Sequence, residues 1–140
     1  YTAGYDNIAL VDSQGIELTG AYSVTDWLGV AASYTFIDAE DGEGNELTRL
    51  PENTGNVSVS LDPDGPISGA VLVQYNGEEA NTEGSELDSW TRVDLTGSYD
   101  LNETIELYGR IENLFDEEYQ QILGYGTPGL SGSIGIRLRY

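Results

Sequence analysis

Charged residues of opposite sign recur at alternate positions along the chain. Arg92 lies two residues before Asp94, and Arg110 lies two residues before Glu112. Alternate residues of a strand share a face, where side chains on neighbouring strands form pairs. We therefore expect ion pairs on one polar face, formed by these residues: Glu17, Arg92, Asp94, Glu106, Arg110, Glu112, Arg137 and Arg139. For the last two arginines, the expected partners are Asp94, Glu112 or Glu17, because an unpaired arginine in a low-dielectric site is costly.

A second cluster of oxygen-bearing side chains lies between residues 38 and 46. Asp38, Asp41 and Glu43 are candidate ligands for a calcium ion, which prefers carboxylate oxygens. Their spacing departs from that of an EF-hand loop, because Gly42 stands at the fifth position. The alternative interpretation is a solvated acidic loop without a metal ion.

The composition excludes many kinds of chemistry. The 140 residues include 25 acidic and five basic residues, all five of them arginine, and the formal net charge is −20. Nucleic acid is not an expected partner, because its recognition needs clustered positive charge. The sequence has no cysteine or histidine, which removes thiol nucleophiles, the usual catalytic triads and most transition-metal sites. We expect neither catalysis nor a cofactor.

The elements that position these residues are strands. Apolar residues recur with a period of two, which is typical of strands with one apolar and one polar face. Seven such segments are predicted, at about residues 16–22, 28–36, 56–61, 67–75, 92–99, 105–112 and 134–140. We therefore predict an all-β fold of about seven or eight antiparallel strands.

Short and long connections alternate along the chain. The short ones, near residues 24–26, 62–66 and 100–103, have the Asp, Pro, Gly and Asn content of tight turns. The long ones, at about residues 38–55, 76–89 and 116–130, contain 14 of the 25 acids. This asymmetry predicts an up-and-down meander with short turns at one end and long acidic loops at the other. It is typical of outer-membrane barrels.

Aromatic residues gather at the strand ends and leave an aliphatic band between them. Such rows match the girdles at the two interfaces of a bilayer. The predicted interface aromatics are Tyr22, Tyr34, Phe36, Tyr75, Tyr99, Phe115 and Tyr140. Alternation alone leaves the direction of the apolar face open. It faces lipid in a membrane barrel, and in a soluble β-barrel it would line a cavity for a small apolar ligand. The aromatic rows favour lipid.

Several segments resemble a known family, the TonB-dependent outer-membrane receptors that import iron-siderophores and cobalamin. The chain is similar to the C-terminal strands of their barrel. The matching segments are residues 5–8 (YDNI), 15–18 (GIEL), 28–39 (LGVAASYTFIDA), 50–54 (LPENT), 93–99 (VDLTGSY), 110–119 (RIENLFDEEY) and 125–129 (YGTPG). The terminal aromatic, Tyr140, resembles an outer-membrane insertion signal. Leu130 stands where the family has an arginine.

The resemblance implies a transmembrane β-barrel in the outer membrane of Gram-negative type, with a structural or transport role. The eight paired charges would then lie in the lumen. Family barrels have 22 strands and a plug domain, whereas we expect residues 1–140 to form a single barrel domain or barrel portion without a plug. Seven strands cannot close an all-antiparallel barrel. Residues 1–11 could add an eighth strand, a second copy could complete the sheet, or the chain is an excised portion of a larger barrel.

The expected partners are therefore lipid or detergent, together with a second copy or the missing strands. The alternative function is that of a designed mini-barrel without natural activity. The unusual composition, which also lacks lysine and methionine, keeps this alternative open.

Overall fold

A computed structural model describes residues 10–80 and 85–139. These residues form eleven strands, named in chain order. They are β1 (Val11–Thr25), β2 (Leu28–Asp41), β3 (Asn53–Leu61), β4 (Ile67–Asn76), β5 (Glu79–Ala80), β6 (Glu86–Leu87), β7 (Trp90–Asp100), β8 (Ile105–Glu112), β9 (Gln120–Ile122), β10 (Tyr125–Gly126) and β11 (Ser131–Leu138). In these residues no helix is long and apolar enough to cross a membrane.

The seven longest strands form one antiparallel sheet in the order β1-β2-β3-β4-β7-β8-β11. The prediction of an all-β chain with antiparallel strands is confirmed. Each of the seven predicted segments contributes one strand to this sheet. Two small hairpins, β5–β6 and β9–β10, lie within the connections that were predicted to be long loops.

The strand register brings the apolar residues onto one continuous face. Val30 lies opposite Val59, which lies opposite Val71, and this row continues through Leu95 to Ile111. The residues between them along each strand belong to the other face, which is mainly polar. A shift of one residue in any pairing would place residues of the other face in the apolar row, so the alternating sequence fixes the register.

Burial is inverted relative to a soluble sheet. Ile134 on the apolar face is 93% exposed, whereas Asp94 and Glu106 on the polar face are each 4% exposed. Most large apolar side chains of the sheet lie open along its apolar face, among them Leu18 and Tyr22. A continuous exposed apolar surface marks a contact with lipid or with another protein.

Several predicted boundaries were wrong. The first long loop covers residues 42–52 rather than 38–55, because β1 extends back to Val11 and pairs with β2 as far as Asp41. The first short turn lies at Asp26 and Trp27, after a register shift between Ser23 and Thr25. Of the proposed eighth strand at residues 1–11, Val11 belongs to β1 and Leu10 precedes it outside any strand, whereas residues 1–9 lie outside the described residues. Tyr140, the last of the predicted interface aromatics, lies outside them as well.

Candidate functional site

Four charged residues meet on the polar face near the long-loop end of β7 and β8. We call this group the loop-end network: Arg92, Asp94, Arg110 and Glu112. Arg92 donates hydrogen bonds to both carboxylate oxygens of Asp94, at 2.8 and 2.9 Å. It also pairs with Glu112 at 3.1 Å, and Arg110 reaches Glu112 at 3.1 Å and Asp94 at 3.6 Å. The network is therefore centred on a buried carboxylate that one guanidinium binds through two charge-assisted hydrogen bonds.

A second group of charges lies at the short-turn end of the same face. We call it the turn-end network: Asp100, Glu106, Arg137 and Arg139. Arg137 donates to both oxygens of Glu106 at 2.9 Å. Arg139 donates to Glu106 at 2.5 Å and pairs with Asp100 at 3.2 Å. The guanidinium of Arg137 also lies 5.3 Å from the ring centre of Tyr108, within the range of a cation–π contact.

The partners expected for Arg137 and Arg139 were wrong. Arg137 lies directly opposite Glu106 in the β8–β11 register, whereas Asp94 and Glu112 belong to the other end of the sheet. Glu17 lies in β1, at the opposite edge of the sheet from β11, and does not pair with these arginines. Glu17 lies opposite Thr35 and is exposed, and it forms no ion pair with any described residue. Sequence spacing identified the charged residues but not the strands that bring them together.

Asn113 connects the loop-end network to the long loop that follows β8. Its side chain is 1% exposed, and its backbone N–H donates to Asp94 at 2.9 Å. The side-chain amide of Asn113 donates to the carbonyls of Glu117 and Pro128 at 2.9 and 3.3 Å, and its oxygen accepts the N–H of Glu117 at 2.9 Å. Its φ of 54° lies in the left-handed region, which asparagine tolerates better than most residues. Asn113 therefore holds both ends of the loop to the sheet.

Aromatic stacking attaches the same loop a second time. The ring of Tyr119 stacks on Trp90 with centroids 4.2 Å apart and an interplanar angle of 27°. The hydroxyl of Tyr119 accepts a hydrogen bond from Arg92 at 3.3 Å. Thr127 donates to the carbonyl of Tyr119 at 2.9 Å, which joins the two sides of the loop. The loop is therefore an ordered unit that rests on the loop-end network.

Sequence reasoning missed Asn113, Tyr119 and Trp90 as structural residues. They lie in or beside the segments that carry the family resemblance, but no role was assigned to them. A usable signal was the asparagine directly after a predicted strand, since asparagine favours positive φ and bonds to nearby backbone groups. The contact of Tyr119 with Trp90, 29 positions earlier, leaves no local sequence signal.

A cavity of about 590 Å³ lies between this loop and the β5–β6 hairpin. Five acidic residues line it, namely Glu86, Asp88, Asp116, Glu117 and Glu118, and no basic side chain belongs to its described lining. A smaller cavity of about 350 Å³ adjoins Glu79, which is 8% exposed. Burial raises the pKa of the Glu79 carboxyl, and the nearby Arg49 lowers it by a smaller amount. The long-loop end of the sheet is thus strongly acidic around these two cavities.

The three calcium candidates do not converge. Asp38 accepts a hydrogen bond from Gln14 at 2.9 Å, and Asp41 binds its own loop. Within residues 10–80 and 85–139, no three carboxylates meet closely enough to hold a metal ion.

The described members of the predicted aromatic rows occupy the apolar face or the adjoining loop. Tyr34 and Tyr75 flank Gly55 in one cross-strand row, and the Tyr34 hydroxyl donates to Asn53 at 2.5 Å. Phe36 lies one row nearer the long loops, opposite Asn53. Phe115 projects from the long loop and is largely exposed. Of the predicted aromatic row near the short turns, the structure describes Tyr22 and Tyr99, and both are exposed.

Replacement of Asn113 should loosen the loop at residues 113–130. Asn113→Ala removes three side-chain hydrogen bonds, and we expect a loss of about 1–3 kcal/mol in the free energy of unfolding. Asn113→Gly also lacks these bonds but adopts the positive φ without strain. The difference between the glycine and alanine variants therefore measures the backbone strain, and the loss that they share measures the side-chain hydrogen bonds. Cleavage after Glu117 and Glu118 by a protease specific for acidic residues should become faster in both variants. Unchanged cleavage would show that Asn113 does not hold the loop.

The loop at residues 42–52 should lose order at low pH. Backbone and side-chain N–H groups of Asn45, followed by the backbone N–H of Glu43, hold the pKa of Asp41 below its ordinary value. This stabilisation is complete above the ordinary carboxyl pKa and is lost as pH falls through the lower folded value. Hydrogen-exchange protection of the Glu43 and Asn45 amides should fall over that range.

The turn at Asn102 supplies the control for this pH dependence. The Asn102 side-chain oxygen accepts the N–H groups of Thr104 and Ile105 at 2.9 Å, in a geometry similar to that of Asp41. An amide does not titrate, so protection at Thr104 should stay constant over the same pH range. A parallel loss at both turns would indicate general unfolding rather than protonation of Asp41.

Comparison with known proteins adds the remaining evidence. The family model described as "TonB dependent receptor-like, beta-barrel" matches residues 1–114. The "Vitamin B12 transporter BtuB" of Photobacterium profundum is 30% identical over 115 residues, which are 81% of this chain and 19% of that protein. The "Metal-pseudopaline receptor CntO" of Pseudomonas aeruginosa is 32% identical over 122 residues, which are 78% and 17% of the two chains.

A further relative and a solved structure agree with these matches. The "Iron-regulated outer membrane virulence protein" of Vibrio cholerae is 26% identical over 145 residues, covering 96% of this chain and 22% of that protein. The siderophore receptor PiuA from Acinetobacter baumannii superimposes with a TM-score of 0.81 at 20% identity, covering 93% of this chain and 22% of its own. The chain thus spans about a fifth of the length of these proteins.

Proposed function

Because this chain belongs to the TonB-dependent receptor β-barrel family of the outer membrane, we propose that its sheet is part of the wall of a transport barrel. The apolar face contacts lipid, and the polar face lines the interior. Residues 1–140 then form a barrel portion rather than a complete receptor.

The inverted burial of the sheet carries this proposal. Exposed aliphatic side chains such as Ile134 and Leu18 suit a hydrocarbon solvent, and buried carboxylates such as Asp94 and Glu106 suit a polar interior. The tyrosines at the ends of the aliphatic band would then lie at the two membrane interfaces. In a soluble sheet the same surface would be a severe aggregation hazard.

In this proposal the two charge networks stabilise the polar face that lines the interior of the barrel. Arginine and carboxylate neutralise each other on the polar face, which lets charged residues line a barrel without exposure to lipid. The loop-end network also supports the loop at residues 113–130, so it shapes the outer mouth of the barrel. The eight charged residues predicted from the sequence are proposed to lie in the lumen, with Glu17 apart from both networks.

Transport without catalysis is the proposed activity of the complete protein. The relatives are named as a vitamin B12 transporter, a metal-pseudopaline receptor and a siderophore receptor. We propose a cargo of the same general class, a cobalamin or a chelated metal. On the described polar face, Asp94, Glu106 and Glu112 pair with arginine, which supports a role in lining the interior.

A graft into a relative provides a test in a complete barrel. In this barrel graft, the full chain replaces the matching segment of the V. cholerae protein, which is 22% of that protein. A protease specific for acidic residues is added to intact cells that produce the graft. Cleavage should occur in the loops at residues 42–52 and 77–89 and should spare the turn at 62–66, because long loops face outward and short turns face the periplasm.

The turn at residues 62–66 is the internal control, since it contains Asp62 and Asp64. Permeabilised cells should allow cleavage at this turn. Cleavage after Asp64 in intact cells would contradict the proposed topology. A chain that is folded and monomeric in buffer without detergent would contradict the membrane assignment and favour the soluble barrel.

A further inference from the structure

The smaller cavity at the long-loop end contains a buried carboxylate without a partner. Glu79 is 8% exposed and lines this cavity of about 350 Å³, which we call the Glu79 cavity. In the β5–β6 hairpin it lies opposite Leu87, which is apolar and also buried. Glu79 forms no hydrogen bond or ion pair with another described residue, and Arg49 acts on it only as a nearby charge. A buried carboxylate needs a compensating charge or a hydrogen-bond donor, because its desolvation is otherwise costly.

The rest of the lining adds negative charge. Four further glutamates surround the Glu79 cavity, namely Glu46, Glu52, Glu78 and Glu86. No basic side chain belongs to its described lining. The occupant that would compensate these charges is therefore a cation.

A metal ion does not fit this arrangement. Nowhere in the described part of the chain do three carboxylates meet closely enough to hold one. The glutamates instead surround a space at the lower end of the range for small-molecule sites, roughly 300–1,000 Å³. A primary ammonium group on an organic molecule suits this space, because it supplies one positive charge and three hydrogen-bond donors.

The Glu79 cavity lies at the edge of the apolar face. Tyr75 lines this cavity and also lines a groove of the apolar face together with Leu18 and Val57. Asn53, another lining residue, accepts a hydrogen bond through its side chain from the hydroxyl of Tyr34 at 2.5 Å. Both tyrosines belong to the predicted interface row, whose rings would lie at the level of the lipid head groups. The cavity is therefore positioned beside head groups and not beside acyl chains.

Backbone contacts hold the walls of the Glu79 cavity together. The N–H of Gly77 donates to the carbonyl of Asn53 at 2.7 Å, and the N–H of Arg49 donates to the carbonyl of Ala80 at 2.9 Å. A Cβ atom at position 77 would lie 2.9 Å from the Asn53 carbonyl oxygen, so this close approach requires glycine. These bonds join the start of β3, the β5–β6 hairpin and the loop at residues 42–52 around Glu79.

We propose that the Glu79 cavity binds a primary ammonium group carried by the head group of a membrane lipid, with Glu79 as its main contact. This proposal rests on the proposed function, because a head group reaches the cavity only if the apolar face contacts lipid. The ammonium supplies the counter-charge that no described side chain gives Glu79 directly. The phosphate of the same lipid stays outside, since the acidic lining repels anions.

Lipid retention by the barrel graft tests the proposal. The purified graft is equilibrated in detergent with phosphatidylethanolamine or with phosphatidylcholine, whose quaternary ammonium has no N–H donor. Bound lipids are counted by native mass spectrometry. Only heat-modifiable graft is measured, which resists SDS and changes mobility on heating, as closed barrels do. The graft should retain phosphatidylethanolamine about tenfold more strongly, which is about 1.4 kcal/mol and the order of one charge-assisted hydrogen bond.

Two glutamine variants assign this preference to one carboxylate. Glu79→Gln keeps the size of the side chain and removes its charge, so the preference should disappear while the graft stays heat-modifiable. Glu78→Gln is the matched control, because Glu78 lines the same cavity but is exposed. It should change the preference less than about twofold, since exposed charges are well screened. The host strands are the same in all variants, so lipids that they bind contribute equally.

Three results would overturn the proposal. The first is equal retention of the two lipids by the assembled graft, or an unchanged preference in Glu79→Gln. The second is a preference that EDTA removes, which would indicate a lipid phosphate bridged by a divalent cation. The third concerns the source of the ammonium group. Glycerophosphoethanolamine, which is the same head group without acyl chains, should not compete at the concentration of the lipid, and equal competition would show a site for a soluble amine.

Failure of the proposed function would look different. The chain would then be folded and monomeric in buffer without detergent, and the graft would retain neither lipid. Equal retention of both lipids by a heat-modifiable graft would instead leave the membrane assignment intact and remove only the head-group site. The same measurements therefore distinguish the two failures.

Discussion

Leu95→Arg should prevent assembly of the barrel graft in the membrane. Leu95 lies in the middle of β7 on the apolar face, between Val71 and Ile111. An arginine near the bilayer midplane of a transmembrane strand costs roughly 2–4 kcal/mol. At 1.4 kcal/mol per tenfold change, this corresponds to a decrease of at least about 25-fold in the equilibrium between inserted and uninserted protein. The fraction of heat-modifiable protein in outer-membrane preparations measures the effect.

Two further variants test whether the face or the charge is responsible. Val71→Asp also places a charge on the apolar face and should impair assembly, although less than arginine does. Ser58→Asp introduces the same side chain on the polar face and should be tolerated much better. If Val71→Asp and Ser58→Asp were tolerated equally, the faces of the sheet would be inverted relative to lipid.

Asp94→Ala should destabilise the folded graft by about 3–5 kcal/mol, the usual cost of removing one partner of a buried ion pair. Asp94 holds Arg92 by two hydrogen bonds and also accepts the backbone N–H of Asn113. Its loss leaves a guanidinium without its main partner and releases the start of the loop at residues 113–130. Urea-induced unfolding of the graft in vesicles, followed by tryptophan fluorescence, measures the change, since Trp90 lies beside this network.

Glu112→Ala is the matched control for Asp94→Ala. Both carboxylates belong to the loop-end network, but the Glu112 side chain is 42% exposed and that of Asp94 is 4% exposed. A solvent-exposed pair contributes about 0–1 kcal/mol, so Glu112→Ala should have a small effect. Asp94→Asn keeps an acceptor for the N–H of Asn113 and should lie between the two. Equal losses for Asp94→Ala and Glu112→Ala would show that burial of the carboxylate does not determine its contribution.

The strands and their faces were predictable from the sequence because they follow from local alternation. Val93, Leu95 and Tyr99 mark the apolar side of β7 without reference to any other strand. The direction of that side, which we propose to face lipid, was inferred only in combination with the aromatic ends of the strands and the family resemblance. Alternation has the same appearance in a soluble sheet and in a membrane sheet.

The charge partners and the loop anchors were not predictable because they depend on the order and the ends of strands. Arg137 pairs with Glu106 since both lie near the short turns of adjacent strands, although 31 positions separate them. The end of β2 was misplaced because Asp38 and Asp41 read as loop residues. The extended strand β1 keeps them within a regular ladder.

The proposed contact of the aliphatic residues with lipid also determines which substitutions the chain can accumulate. In a soluble protein, exchange of one aliphatic residue for a smaller one leaves a cavity, because the neighbouring side chains are close-packed. Fluid acyl chains would fill the space beside Ile134 or Leu18, so such exchanges would cost little here. The polar face of the sheet has fixed partners at Asp94 in β7 and at Asn113 just beyond β8, and it has little such freedom there. Sequence drift should therefore be fastest where the side chains are most apolar, the reverse of the pattern in soluble proteins.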